Sequence, residues 1–175
     1  PDGQINHAGN GLTAIGALRP EAENAAEMLN TVADVFNEAG LKTDITEDAE
    51  DAVIRKLFVN VGINAVCALN DCQNKYISAD PQMRTHARQL VEEAVRVFHS
   101  AGRSYDQEKI WQHVESVALA TGENICSMLQ DVRNGRITEI RRINGAVAQL
   151  ASEIGTEAPL NLDITKKIED LSRGR

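Results

Sequence analysis

Residues 57–69 are apolar or glycine at every position but two, Asn60 and Asn64. With Lys56 these two form a series at i, i+4 and i+8, which on a helix drifts only modestly around the axis. A helix that is apolar nearly all round is a buried one. Burying an ammonium and two carboxamides without partners costs several kcal/mol, so the fold or a ligand must supply them. The seam reads either as the wall of a pocket or as a core helix whose asparagines bond to neighbouring backbone.

The remaining pattern is mostly helical. Pro20 opens an amphipathic stripe of Ala22, Ala25, Ala26, Leu29, Val32, Ala33, Phe36 and Ala39, which Gly40 stops. Residues 41–45 bridge to Thr46, which with Glu47 and Asp48 is predicted to cap the seam-bearing helix. Asp80-Pro81 caps a helix with Met83, Ala87, Leu90, Val91, Ala94, Val97 and Phe98 inward. Asp106 opens another, carrying Ile110, Val114 and Val117. A short segment covers 124–135, a long helix is predicted over 137–154, and Pro159 starts a last one to about 171. Residues 3–18 hold two short extended segments around a glycine-rich turn, the pattern of a β-hairpin. Gly9-Asn10-Gly11-Leu12-Thr13-Ala14 matches a variant of the dinucleotide fingerprint. It lacks the full preceding strand and the following helix that the fingerprint requires, so it is set aside. Two strands alone are marginal, and the chain opens P-D-G-Q without an initiator methionine. The expectation is an all-α helical domain over 20–175, preceded at 1–19 by a hairpin left over from a nucleotide-binding domain upstream.

At 175 residues with 42% hydrophobic and 25% charged positions, the chain can bury one good core. Only 3% of residues are aromatic, so small aliphatic side chains must fill it. A net charge of −8 argues against nucleic acid or an anionic membrane as partner. The apolar run at 57–69 is too short to span a bilayer, and no targeting peptide is visible. Cys67, Cys72 and Cys126 lack disulfide or zinc spacing, which points to buried thiols, a cytoplasmic location and no metal site.

Two further patches carry chemistry. Ser127 and Asp131 stand at i, i+4 and share a polar face. Arg133, Arg136, Arg141 and Arg142 crowd ten residues of an acidic chain, the usual mark of a solvated face. Glu139 sits among them between Ile137 and Ile140, where a helix N-terminus and arginines would stabilise a carboxylate.

Taken together, K-L-F-V-N-V-G-I-N, Asn74, N-I-C-S-M-L-Q-D-V, R-I-T-E-I, I-N-G, Pro159 and Asn161 resemble the C-terminal domain of the ketopantoate reductases. The opening I-N-H-A-G-N-G-L-T-A-I-G is similar to the last strands of that family's N-terminal domain. The resemblance covers essentially the whole chain, in the family's order and spacing. It implies a Rossmann domain followed by a helical domain of 6-phosphogluconate dehydrogenase C-terminal-like architecture, with substrate in the cleft between them. It also implies reduction of 2-dehydropantoate to (R)-pantoate with NADPH, in the pathway to pantothenate and coenzyme A. Lys56 matches the family's proton donor. Asn60, Asn64, Asn74 and Ser127 match substrate-binding residues, and Glu139 matches the glutamate at the cofactor end. The implied partners are a small 2-keto acid, the chain's own Rossmann domain and a second copy in a homodimer. Arg141, Ala65 and the Q-N-K-Y context of Asn74 depart from the family pattern without removing a matched residue, and they leave the particular 2-keto acid open. A reductase of another 2-keto acid and a non-catalytic helical dimerisation module are the competing readings. Without a phosphate-binding loop, this piece alone is expected to be inactive.

Overall fold

The computed structural model describes Gly3 and residues 11–173. The chain forms two compact units, Pro1–Ile54 and Arg55–Arg175. This division falls later than the expected one at 19/20, because the helix after Pro20 is the crossover between two strands.

In the first unit, β1 (Thr13–Ile15), α1 (Ala25–Glu38) and β2 (Thr43–Ile45) follow in order. The strands pair in parallel, Thr13 opposite Thr43 and Ile15 opposite Ile45. Two expectations are corrected here. The first arm of the expected hairpin lies outside the described residues, as do Gly9 and Asn10 of the fingerprint match, and the second arm holds β1, which pairs in parallel with β2. The bridge at 41–45 contains a strand. Parallel neighbours need a crossover of a dozen or more residues, and α1 supplies it. Asn37 ties the end of α1 to β2, donating from Nδ2 to the Thr43 carbonyl at 3.0 Å and accepting from its N–H at 2.9 Å. Helix α1 starts at Ala25 rather than Pro20 because Asn24 adopts a left-handed conformation, φ 63°. Of its apolar stripe only Ala33 is buried, while Met28, Val32, Val35 and Phe36 stay exposed.

Helix α2 (Ala49–Asn70) carries the seam. Its cap is Asp48, whose Oδ1 accepts from the Asp51 N–H at 2.8 Å. Thr46, the expected cap, instead accepts from the Asp48 N–H at 3.3 Å. With 22 residues, α2 is long and apolar enough to cross a bilayer, which the 57–69 run alone was not. Here it is the core helix, every residue from 61 to 68 being buried.

Around it lie α3 (Tyr76–Ala79), α4 (Pro81–Ser100), α5 (Gln107–Ala120), α6 (Ser127–Arg133), a 3-10 turn (Ile140–Arg142), α7 (Asn144–Glu153) and α8 (Pro159–Arg173). Asp80 caps α4 through the N–H groups of Gln82 and Met83, and Asp106 caps α5 through that of Lys109. Trp111, Phe58 and Leu90 are among the side chains wholly buried in the core.

Gly62 sets the approach of α2 to its neighbours. A Cβ there would lie 2.8 Å from Val91 Cγ2 on α4 and 2.9 Å from Val114 Cγ1 on α5. Both valines are fully buried and stiff at χ1. Gly62→Ala would gain about 1 kcal/mol of helix propensity but incur about 1–3 kcal/mol of overpacking. We expect a net loss, read as a lower Tm; an unchanged or higher Tm would contradict the close approach.

The helix expected over 137–154 is broken. Ile137 is 95% exposed, and Ile143, at φ −108° and ψ −95°, separates the 3-10 turn from α7. The break turns Asn144 inward, where Nδ2 donates to Asn161 Oδ1 at 2.9 Å and to the Val61 carbonyl at 3.4 Å. Asn161 Nδ2 in turn donates to the Leu90 carbonyl at 3.1 Å and to Glu93 Oε2 at 2.8 Å. Glu93 also accepts from the N–H groups of Leu160 and Asn161, at 3.1 and 2.8 Å, closing the start of α8. All three side chains are buried. This network joins α2, α4, α7 and α8.

Candidate functional site

Asn64, Ser127 and Glu139 meet. Together with Asp131, Met128 and Ile143 they line a narrow hollow with no room for a water molecule. Asn64 comes from the buried middle of α2. Ser127 and Asp131 come from one face of α6, as their i, i+4 spacing requires. Glu139 immediately precedes the 3-10 turn, and the break at Ile143 places that residue's apolar side chain in the wall.

Lys56 and Asn60 precede Asn64 on the same helix by two turns and one, so Lys56 starts about 12 Å along the axis from it. Neither lines the hollow. Lys56 is exposed and Asn60 half-buried, which corrects the expectation of a buried ammonium. The apolar run begins only after Lys56, and unbroken burial begins only at Val61. Asn74 is buried but lies outside the hollow, its Nδ2 donating to Thr121 Oγ1 at 2.9 Å. A larger hollow of about 820 Å³ along α7 and α8 is lined by none of the six residues marked in the sequence.

The hydrogen bonding separates these residues from the other asparagines of the fold. Among the described residues, the side chains of Lys56, Asn60, Asn64, Ser127 and Glu139 make no hydrogen bond or ion pair. Asn37, Asn70, Asn144 and Asn161 use theirs to hold backbone or one another, and Asn74 uses its Nδ2 on the Thr121 hydroxyl. The core-helix alternative, with asparagines spent on neighbouring backbone, therefore describes Asn70, whose Nδ2 donates to the Val66 carbonyl at 2.8 Å, and not Asn60 or Asn64.

Three of the four arginines are in exposed ion pairs. Arg133 meets Asp71 at 2.8 Å, Arg136 meets Asp131 at 3.3 Å, and Arg141 meets Glu169. Exposed pairs contribute about 0–1 kcal/mol each, so the solvated-face reading holds for them. The pair with Arg136 also offsets the charge of Asp131 beside the hollow. In the sequence Asp131 stands out only through its spacing from Ser127. Glu93 carries a quieter signal: its place three residues after Leu90 and four before Val97 puts it on the core face of α4.

Residues 48–172 match the family model described as "Ketopantoate reductase PanE/ApbA C terminal". The chain belongs to the ketopantoate reductase family. It is 30% identical over 172 residues to a 2-dehydropantoate 2-reductase of Archaeoglobus fulgidus, covering 98% of this chain and 56% of that protein. Against the 2-dehydropantoate 2-reductase of Halobacterium salinarum the identity is 34% over 171 residues, 98% of this chain and 54% of that one. The chain thus spans about half the length of the curated ketopantoate reductases it matches. In fold it is similar to a D-mandelate dehydrogenase solved with NADH and anilino(oxo)acetate. That likeness has a TM-score of 0.85 and 24% identity, over 95% of this chain and 68% of that one. The helical architecture is that of the ketopantoate reductase C-terminal domain.

Proposed function

We propose that this chain is the substrate-binding helical half of an NADPH-dependent 2-keto-acid reductase that converts 2-dehydropantoate to (R)-pantoate. The observation that carries the reading is the uncommitted polar set. Lys56, Asn60, Asn64, Ser127 and Glu139 come from three separate parts of the second unit, and none is used by the fold. Asn64 is the buried member, where a missing partner costs stability that a ligand restores; Lys56, Ser127 and Glu139 are exposed and Asn60 half-buried, so water serves them until a ligand replaces it.

The bound nicotinamide would supply a hydride to the ketone carbon of the substrate. As that C–H bond forms, the carbonyl oxygen becomes an alkoxide. The Lys56 ammonium stabilises it and transfers a proton to it, then regains one from solvent. Asn60 and Asn64 offer fixed dipoles to substrate oxygens without adding charge, and the Ser127 hydroxyl donates to the carboxylate. The hollow is too tight to seat a water molecule, so the substrate would lie across its mouth, toward Asn60 and Lys56. Asn74 is the weakest member of the set, because its amide must leave Thr121 before it can serve a ligand.

The residues fit one end of the cofactor. Glu139 would accept from hydroxyl groups at the nicotinamide riboside end. No cation lines the hollow to meet phosphates, so these would be held by the Rossmann domain of a longer parent.

The test is a substrate panel on the full-length parent with NADPH and with NADH. We expect kcat/KM for 2-dehydropantoate to exceed that for 2-ketoisovalerate and phenylglyoxylate by at least about tenfold, the scale of pocket-level discrimination. Preference for another acid would replace the substrate, and turnover of none would refute the reductase reading. The 175 residues alone are expected to show no turnover.

A further inference from the structure

Two carboxylates border the hollow, and the ligand proposed for it is itself an anion. Asp131 stands one turn after Ser127 on the same face of α6, about 6 Å along the axis. A carboxylate held by the Ser127 hydroxyl would therefore lie beside it. Like charges at that spacing repel unless a cation intervenes.

Arg136 meets Asp131 twice. Its Nε lies 3.3 Å from Asp131 Oδ1, and its backbone N–H donates to the Asp131 carbonyl at 2.8 Å. The second bond closes the turn after α6, with Gly135 in the left-handed conformation at φ 63° that the turn needs. The neighbouring arginines are spent elsewhere, Arg133 on Asp71 and Arg141 on Glu169. Among the described residues no other cation pairs with Asp131.

We infer that Arg136 is a positioning residue of the substrate site, holding and neutralising Asp131 so that the carboxylate of a 2-keto acid can settle against Ser127. The inference rests on the proposed 2-keto-acid reading. Arg136 does not line the hollow, so it acts through Asp131 and not on the ligand. The pair is exposed and adds little to stability, which leaves the charge at the hollow as its consequence. The ketone carbon and oxygen belong to the Lys56 side of the proposed arrangement. Loss of the pair should therefore weaken binding of the anion and spare the chemical step.

Variants of the full-length parent test this. Arg136→Gln should raise KM for 2-dehydropantoate about fivefold or more while moving kcat less than about twofold. Arg136→Lys, which keeps the charge, should recover most of the loss. In an Asp131→Asn background no charge is left to offset, so adding Arg136→Gln should change KM by less than about twofold. Raising the ionic strength should narrow the gap between Arg136→Gln and wild type. An unchanged KM in Arg136→Gln, or an equal rise in both backgrounds, would overturn the inference, the second by showing that Arg136 does not act through Asp131. The Kd of the same acid, read by calorimetry on the same proteins, separates the two questions. A parent that binds the anion without reducing it would refute the reductase reading, and the Kd ratios would still decide the role of Arg136. A parent that binds no 2-keto acid would overturn both.

Discussion

Replacing Lys56 by alanine in the full-length parent should lower kcat by about 10²–10⁴, the range in which a positioned general acid contributes. The assignment rests on position and on availability. Lys56 projects from the same helix as Asn60 and Asn64, and among the described residues no acidic side chain takes its ammonium. Because the proton moves as the alkoxide forms, the interaction is stronger in the transition state than in the ground state. Its loss should therefore appear in kcat rather than in cofactor affinity. Removing an exposed lysine should leave the fold intact, with a stability change within about 0.5 kcal/mol. A kcat near wild type would eliminate Lys56 as the proton donor, and a matched fall in NADPH binding would assign it to the cofactor instead.

Glu93→Ala should be the most damaging single change to stability. It removes the acceptor for three donors at once: the N–H groups of Leu160 and Asn161, and Asn161 Nδ2. Glu93 is 3% exposed, so water cannot easily replace it. Each buried donor left unsatisfied costs about 1–3 kcal/mol, and a total of about 3–5 kcal/mol is expected. Set against typical domain stabilities of about 5–15 kcal/mol, this is a large share. Glu93→Gln should cost less, because one acceptor oxygen survives while its amide faces an N–H. Urea unfolding of the three proteins measures the series. An alanine variant within about 0.5 kcal/mol of wild type would show that the network does not hold the helices together.

What the sequence disclosed followed how local its cause was. Asp80-Pro81, Asp106 and Pro159 mark helix starts through contacts within a few residues, and those helices begin where predicted. Ser127 and Asp131 share a face because of a spacing, so half of the hollow was visible as a pattern. Strand pairing was not, since Thr13 meets Thr43 across an entire helix and nothing near either residue signals the partner. Helix α3 has four residues, too few to show a period. The break at Ile143 serves Asn161 on a different helix, so the uninterrupted apolar spacing of 137–154 concealed it. The exposure of Lys56 was misjudged because an apolar run indicates burial of the run and not of its border.

The walls of the small hollow also carry an asymmetry of sign. Two acidic groups, Glu139 and Asp131, border it, and only Asp131 is offset by an arginine. On the proposed reading, a ligand with one anionic end can turn that end toward Ser127 and the amine of Lys56, while a second anionic end would face like charge. Inhibitors for this site should accordingly be monoanions with a neutral, hydroxylated tail, and dicarboxylic metabolites should pass it by.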